Sequence, residues 1–186
     1  MAAPRRFRCD GASDSVNHAR PRAAHNWRNE MTFTQEVVAR LAERGLRLPT
    51  DLPKPLGHYE PYRLRDGLGF LAGQVPGYGA GSLAGRVGHE LTIEEGRAAA
   101  AKAALNALGR LHEALGGFDR LEGLLHVAGH VASTDDFREQ ADVLDSASEL
   151  FTFALGERGR HSRSAFAPTR LPKNLSIELE ITFGYR

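Results

Sequence analysis

The stretch from Thr92 to Ala132, TIEEGRAAAAKAALNALGRLHEALGGFDRLEGLLHVAGHVA, holds the two kinds of element whose combination decides the fold. Thr92 and Glu95 have capping-box spacing: the hydroxyl accepts the backbone N–H three residues on, and the glutamate reaches back to the cap. Ala and Leu fill the interior as far as Leu115, and Gly116-Gly117 supply the left-handed residue at which helices stop. Leu105, Leu108, Leu111/His112 and Leu115 recur at helical spacing, and the alanines leave room for close approach to a sheet. Beyond the stop, Leu124–Ala132 alternates with the period of two expected of a strand. A long helix followed directly by a strand excludes an all-helical or all-β chain.

The pattern extends in both directions. Downstream, a helix over about 137–155 puts Leu144, Ala147, Phe151 and Ala154 on one face, with Asp135/Asp136 placed to cap it. Ser164–Ala167 reads as a strand, Leu171-Pro172 as a bend, and Ser176–Phe183 as a closing strand. In the last, Ile177, Leu179, Ile181 and Phe183 face one way, and Glu178, Glu180 and Thr182 the other. Upstream, Tyr62–Arg65 and Leu68–Gln74 flank Asp66-Gly67, a two-residue hairpin signal. Before it, Thr32 with Gln35 can cap a helix over 32–45 that Gly45 stops. The order helix, hairpin, helix, strand, helix, two strands gives an α+β fold: a single sheet with two main helices on one face. Its other face carries Glu178, Glu180, His126 and His130, too polar for a second core and suited to partly polar clefts in a ring of subunits.

The 186 residues suit one domain with an appendage. Residues 1–30 lack periodicity and hold the only Cys (Cys9) and the only Trp, so they read as a disordered tail, with Met31 an alternative start. A transit peptide is the functional alternative there. The tail has six Arg against two Asp and one Glu, a net of +3, so the rest carries −2 of a total of +1. A mildly acidic body argues against electrostatic capture of nucleic acid. One cysteine excludes a disulfide framework and a CxxC zinc pair. No apolar run is long enough to span a membrane, so the expected setting is cytoplasmic.

Few residues stand out for chemistry. Arg163 sits where an irregular stretch enters a strand, followed by small Ser164 and Ala165; an arginine so placed can hold a carboxylate through two parallel hydrogen bonds. Glu178, on the polar face of the closing strand, could orient a water beside it. Taken locally, both also read as solvated charges. His126 and His130 share a strand face but stand roughly 13 Å apart, too far to ligate one metal, and read as surface or interface histidines. Gly79-x-Gly81 with Gly85 lacks the helix and Lys-Ser/Thr of a phosphate loop and reads as mobile.

In combination these segments resemble the RidA (YjgF-type, reactive intermediate deaminase) family. The resemblance rests on Arg163-Ser164-Ala165, Leu171-Pro172 and Ile177-Glu178-Leu179-Glu180, and upstream on Gly57, Tyr59, Gly73, Gln74 and Pro76. It covers about residues 53–186, in order, with a matching element pattern; the helix before it suggests a longer, divergent branch. The resemblance implies a chorismate-mutase-like fold, a homotrimer with a pocket in each cleft between subunits, and hydrolysis of reactive enamines and imines (2-imino acids released by pyridoxal-phosphate enzymes) to keto acids and ammonia. Carried over, Arg163 holds the substrate carboxylate, Ala165 and Gly73 line the pocket through their backbone, Tyr59 closes it, and Glu178 positions the water. No cofactor or metal is implied, since an imine carbon is already electrophilic. Three positions depart from the family pattern: Ala72 stands where many members have Ser, Ala165 where many have Cys, and Asp145 where Asn is frequent. The first two remove polar side chains, and the third adds a negative charge that weakens anion binding.

Two other functions compete. A non-catalytic sensor of small carboxylates would need Arg163 but show no turnover. An endoribonuclease, a label attached to the family, would use Arg158, Arg160, His161, Arg163, Arg170 and Lys173 against phosphates, but no aromatic stripe for stacking bases accompanies them.

Overall fold

A computed structural model describes residues 31–79 and 81–186, which form one compact unit from Met31 to Arg186. The expected tail over residues 1–30 lies outside the described residues. The elements are α1 (Phe33–Glu43), β1 (Tyr62–Arg65), β2 (Leu68–Gln74), α2 (Ile93–Leu115), β3 (Leu121–Val131), α3 (Gln140–Leu155), β4 (Ser162–Phe166) and β5 (Ile177–Tyr185). The five strands make one sheet in the order β1-β2-β5-β3-β4, antiparallel except for β3 and β4. This is the expected α+β single sheet.

Local chemistry explains the element ends. Thr32/Gln35 and Thr92/Glu95 both close capping boxes, in which hydroxyl and side-chain carbonyl or carboxylate satisfy N–H groups that the first helical turn leaves free. Gly116 ends α2 at φ +68. Asp66 and Gly67, at φ +51 and +82, make the two-residue turn between β1 and β2 whose twist matches the strands it joins.

The core lies between one sheet face and α2/α3. Leu71, Val127, Val131, Leu179, Ile181 and Phe183 project from the strands and are buried, and α2 approaches them through buried Ala99, Ala100, Ala103 and Ala107. Gly129 completes the contact: a Cβ there would overlap the Leu144 side chain of α3. α1 packs on α3 through buried Val37 and Leu41, and Arg44 stacks on the Phe153 ring, 3.6 Å from its centroid. The other face of the sheet is open. It carries Glu178, Glu180, Thr182, His126 and His130, with Phe70 48% and Phe166 47% exposed between polar neighbours.

Several boundaries differ from the sequence reading. β3 starts at Leu121, carried through irregular register against β5 before Gly123 and His126, so strict alternation conceals its first turn of chain. β4 runs Ser162–Phe166 as an edge strand. α3 begins at Gln140, because Thr134–Phe137 close a separate turn in which Phe137 N–H donates to the Thr134 carbonyl. Asp135 and Asp136 therefore do not cap it; Glu139 precedes the helix without a side-chain cap, and Asp136 bonds Thr134 instead. Of the glycine-rich loop, the part near Val87 is pinned: Val87 is buried, donates to the Ala132 carbonyl and accepts from Thr134 N–H.

Candidate active site

The residues singled out from the sequence fall into two groups. The first surrounds Glu178 on the open face of the sheet. β5 alternates so that Ile177 and Leu179 enter the core and Glu178 points the opposite way, beside β2. The β2–β5 register shifts between Leu71 and Gln74, and Gly73 falls in that irregularity. A Cβ on Gly73 would overlap the Glu178 side chain as it stands, so a larger residue here would displace the carboxylate. Gly73 shares a recess with Ala72, Gln74, Tyr59 and Tyr78. That recess adjoins a groove of about 550 Å³ lined by Asp51, Lys54, Tyr78, Lys102 and Asn106. Asn106 donates to the Val75 carbonyl at 2.8 Å and Gln74 to that of Ala72 at 2.7 Å, which fixes the end of β2.

Glu178 is partly buried, and its pKa is raised. Burial is the larger cause, and the neighbouring Glu180 charge adds to it; His130, paired with Glu178 across β3 and β5, opposes both. No described residue donates a hydrogen bond to the Glu178 carboxylate. His130 itself stacks on Phe166 with ring centroids 5.0 Å apart and lies 3.4 Å from Glu180. Tyr78 has its pKa raised by burial first, then by Tyr59 and Glu178, which places all three within electrostatic reach of one another. Tyr59 is 51% exposed at the mouth of the recess.

The second group surrounds Arg163. In β4, Arg163 pairs with core-facing Val127 and therefore points to the helical side of the sheet, against α3. Its guanidinium donates to Ser148 Oγ at 3.0 Å and the Ala141 carbonyl at 3.2 Å, and it pairs with Asp145 Oδ1 at 2.9 Å. Ser148 in turn bonds His161 Nε2 at 3.0 Å, while His161 Nδ1 lies 2.7 Å from the Gly159 carbonyl. A carbonyl only accepts, so Nδ1 carries the proton and Nε2 accepts from the serine hydroxyl. Burial lowers the His161 pKa, against the hydrogen bond to the Gly159 carbonyl, which raises it, and with nearby Arg163 and His126 adding to the lowering; the balance favours the neutral ring. Asp145, Ser148, Glu149, Thr152, Phe153 and Arg44 line a second groove of about 590 Å³. Ala165 follows at the exposed edge, paired with Gly129.

Arg163 and Glu178 do not meet within one chain. β3 lies between their strands, so they are roughly 10 Å apart across the sheet. Glu178 pairs with His130 and Arg163 with Val127, an offset of about 10 Å along β3. They also point to opposite faces. Although β5 follows β4 in sequence, it inserts between β2 and β3, so the two strands are not neighbours in the sheet. Tyr59, Ala72, Gly73 and Glu178 thus form one cluster, and Asp145, Arg163 and Ala165 another.

Sequence reasoning passed over Tyr78, Ser148 and the coupling of His161 to Arg163. Ser148 lies three residues after Asp145, hence on the same helical face, and that spacing was the available signal. Tyr78 is an isolated aromatic within a glycine-rich loop and gave no periodic signal. No group of three or more His, Cys, Asp or Glu able to hold a metal occurs among the described residues, and no described helix is long and apolar enough to cross a membrane.

Comparison with known proteins matches residues 38–183 to the family described as "YjgF/chorismate_mutase-like, putative endoribonuclease". Protein TCP17 of Trypanosoma cruzi is 33% identical over 146 residues, covering 77% of this chain and 91% of its own length. A structure of a protein of unknown function from Agrobacterium tumefaciens superposes with a TM-score of 0.74 at 30% identity, covering 83% of this chain and 96% of that one. A structure described as a putative endoribonuclease from Shewanella oneidensis gives 0.74 at 33%, covering 80% and 98%.

Proposed function

The chain belongs to the YjgF/chorismate-mutase-like family, and we propose that it hydrolyses small reactive imines or enamines to carbonyl compounds and ammonia, at sites that two copies complete together. The observation that carries this reading is the Glu178 carboxylate: partly buried, raised in pKa by that burial, held open by Gly73, and without a hydrogen-bond donor among the described residues. Such a carboxylate is suited to take a proton from a water molecule and return it. As water adds to the imine carbon, Glu178 accepts its proton and then delivers it to the nitrogen. Glu178 then takes the hydroxyl proton of the resulting carbinolamine and passes it to the amine nitrogen, so the C=O bond forms as the C–N bond breaks and ammonia leaves. Positioning supplies much of the rate, because the carbon is electrophilic before it binds.

The split between the halves supports assembly. With Arg163 and Glu178 on opposite faces, only a second copy can bring one to the other. A ring of copies, three in the family resemblance, would also cover Phe70 and Phe166 on the open face. A 2-imino acid would set its carboxylate against Arg163 in competition with Asp145. A carboxylate sensor remains the second reading, since it uses the same residues without Glu178 chemistry.

A nuclease finds less support. Of the expected basic cluster, Arg158 lies over the Phe33 ring at 4.0 Å, Arg160 pairs with Glu157 at 3.1 Å, and Arg163 with Asp145. These cations are committed to partners in the chain rather than arrayed for phosphates.

The test is hydrolysis of a freshly generated imine, read as its escape from trapping by semicarbazide, in wild type and Glu178→Gln. Acceleration by wild type alone supports the hydrolase. Equal traces with and without protein, alongside ligand binding that depends on Arg163, leave the sensor.

A further inference from the structure

Arg163 has no free charge to offer a ligand. Its guanidinium, whose side chain is only 22% exposed, already meets Asp145 Oδ1 at 2.9 Å, Ser148 Oγ at 3.0 Å and the Ala141 carbonyl at 3.2 Å. Asp145 therefore stands where a substrate carboxylate would stand, tethered by the helix that carries it. An incoming carboxylate must evict a covalently linked competitor, whose effective concentration is high, or place a second negative charge beside the first. Neither Ser148 nor His161 relieves this, since the serine is neutral and burial holds the histidine towards its neutral form.

The adjoining groove reinforces the same selectivity. Its lining includes Asp145, which is 55% exposed in its side chain, and Glu149 one turn along α3. The one cation in that lining, Arg44, is stacked 3.6 Å above Phe153. With Arg163 beside it, the groove holds two guanidiniums against two carboxylates, so its mouth offers no net positive field to draw in an anion.

We propose that Asp145 is a specificity-determining residue that turns the Arg163 half-site from 2-imino acids towards imines lacking a carboxylate, such as the iminium ions left when simple amines are oxidised. The inference rests on the imine-hydrolase reading for the reaction itself, but its selectivity is measurable without turnover. Asp145 keeps Arg163 in a hydrogen-bonded pair of no net charge, and a carbonyl or iminium group meets the pair without displacing either charge.

Two stable ligands of equal shape test it by calorimetry: 2-oxobutanoate and its neutral amide, titrated into wild type, Asp145→Asn and Arg163→Ala. The asparagine is nearly isosteric and keeps one hydrogen-bonding oxygen, so folding is preserved. Wild type should bind the amide at least as well as the acid. Asp145→Asn should tighten the acid about tenfold relative to the amide, the scale of a charge pair freed for a ligand, and Arg163→Ala should abolish that gain. Preference of wild type for the acid, or an acid-to-amide ratio that Asp145→Asn does not move, overturns the proposal. Turnover separates the two readings. Imine hydrolysis with Asp145-independent binding ratios removes the specificity role and leaves the hydrolase. Asp145-dependent ratios without hydrolysis of any imine leave the specificity role and remove the hydrolase.

Discussion

The two halves of the candidate site are built on opposite principles. Around Arg163 every strong demand is met inside the chain: Asp145 supplies the countercharge, and Ser148 and the Ala141 carbonyl accept further donors. Around Glu178 the demands are left open. The carboxylate is partly buried, has the acidic Glu180 and the His130 ring nearby, and receives no hydrogen bond from a described residue. Burying an ionised carboxylate without donors is unfavourable, so this half is held in place by β5 alternation and the gap at Gly73 rather than by its own interactions. In the proposed reaction the satisfied half would anchor and select and the unsatisfied half would react, the second brought to the first across an interface between copies.

The comparison breaks first at Glu178. Glu178→Gln removes proton transfer while keeping shape, and should lower imine hydrolysis by roughly 10² or more, the usual scale for a positioned general base; the measurement is kcat at saturating substrate. Arg163→Ala should act differently, raising KM more than it lowers kcat, because that half binds rather than transfers protons. The halves can then be tested as halves. Glu178→Ala and Arg163→Ala chains, each impaired alone at subsaturating substrate, should regain a measurable fraction of wild-type kcat/KM when coexpressed, since mixed assemblies contain some sites with both residues intact. Purified mixed assemblies without recovered activity would show that one chain supplies both groups.

Gly73 sharpens the reading at somewhat smaller scale. Gly73→Ala puts a methyl where the carboxylate lies and should cost about 10²-fold in kcat through misplacement. Gly129→Ala, whose methyl would overlap Leu144 on the helical side, should instead destabilise the fold by about 1–3 kcal/mol with kcat preserved in the folded fraction. Thermal unfolding with kinetics on each variant separates the two glycines: one serves the site, the other the core.

Much of the architecture was legible because it is written in local chemistry. Thr92/Glu95, Thr32/Gln35, Asp66-Gly67 and the alternation of Ile177–Phe183 each act within a few residues, and each formed where it was read. What the sequence withheld is nonlocal. Nothing in residues 162–185 says that β5 leaves β4 and enters the sheet between β2 and β3, so the separation of Arg163 from Glu178 within one chain was not legible. The start of α3 was obscured similarly: Asp135 and Asp136 are good capping residues, but the Thr134–Phe137 turn claims that segment. Asp145 stood out only through the family resemblance, as a negative charge set against anion binding, whereas its identity as the arginine's own partner needed the α3–β4 packing.

The smallest effect concerns pH, and its sign distinguishes the halves. Burial raises the Glu178 pKa, so its protonated form is the one folding favours. Its contribution to stability is complete below the pKa of an unfolded glutamate, about 4.3, and is lost as pH rises through the raised folded value. Above that value the ionised side chain is a cost that Glu178→Gln removes. The variant should therefore gain stability relative to wild type with rising pH, by about 1 kcal/mol or less for a side chain still partly solvated. Activity runs the other way, because the base must be ionised: kcat/KM should fall on the acid side with a midpoint above the ordinary glutamate range, and Glu178→Gln should flatten that limb. Chemical denaturation at several pH values, paired with the rate profile, checks both signs on the same two proteins. A stability difference that shrinks with rising pH would mean that the folded protein prefers Glu178 ionised. Donors would then satisfy the carboxylate in the assembled protein, and the contrast between a satisfied half and an open one would disappear.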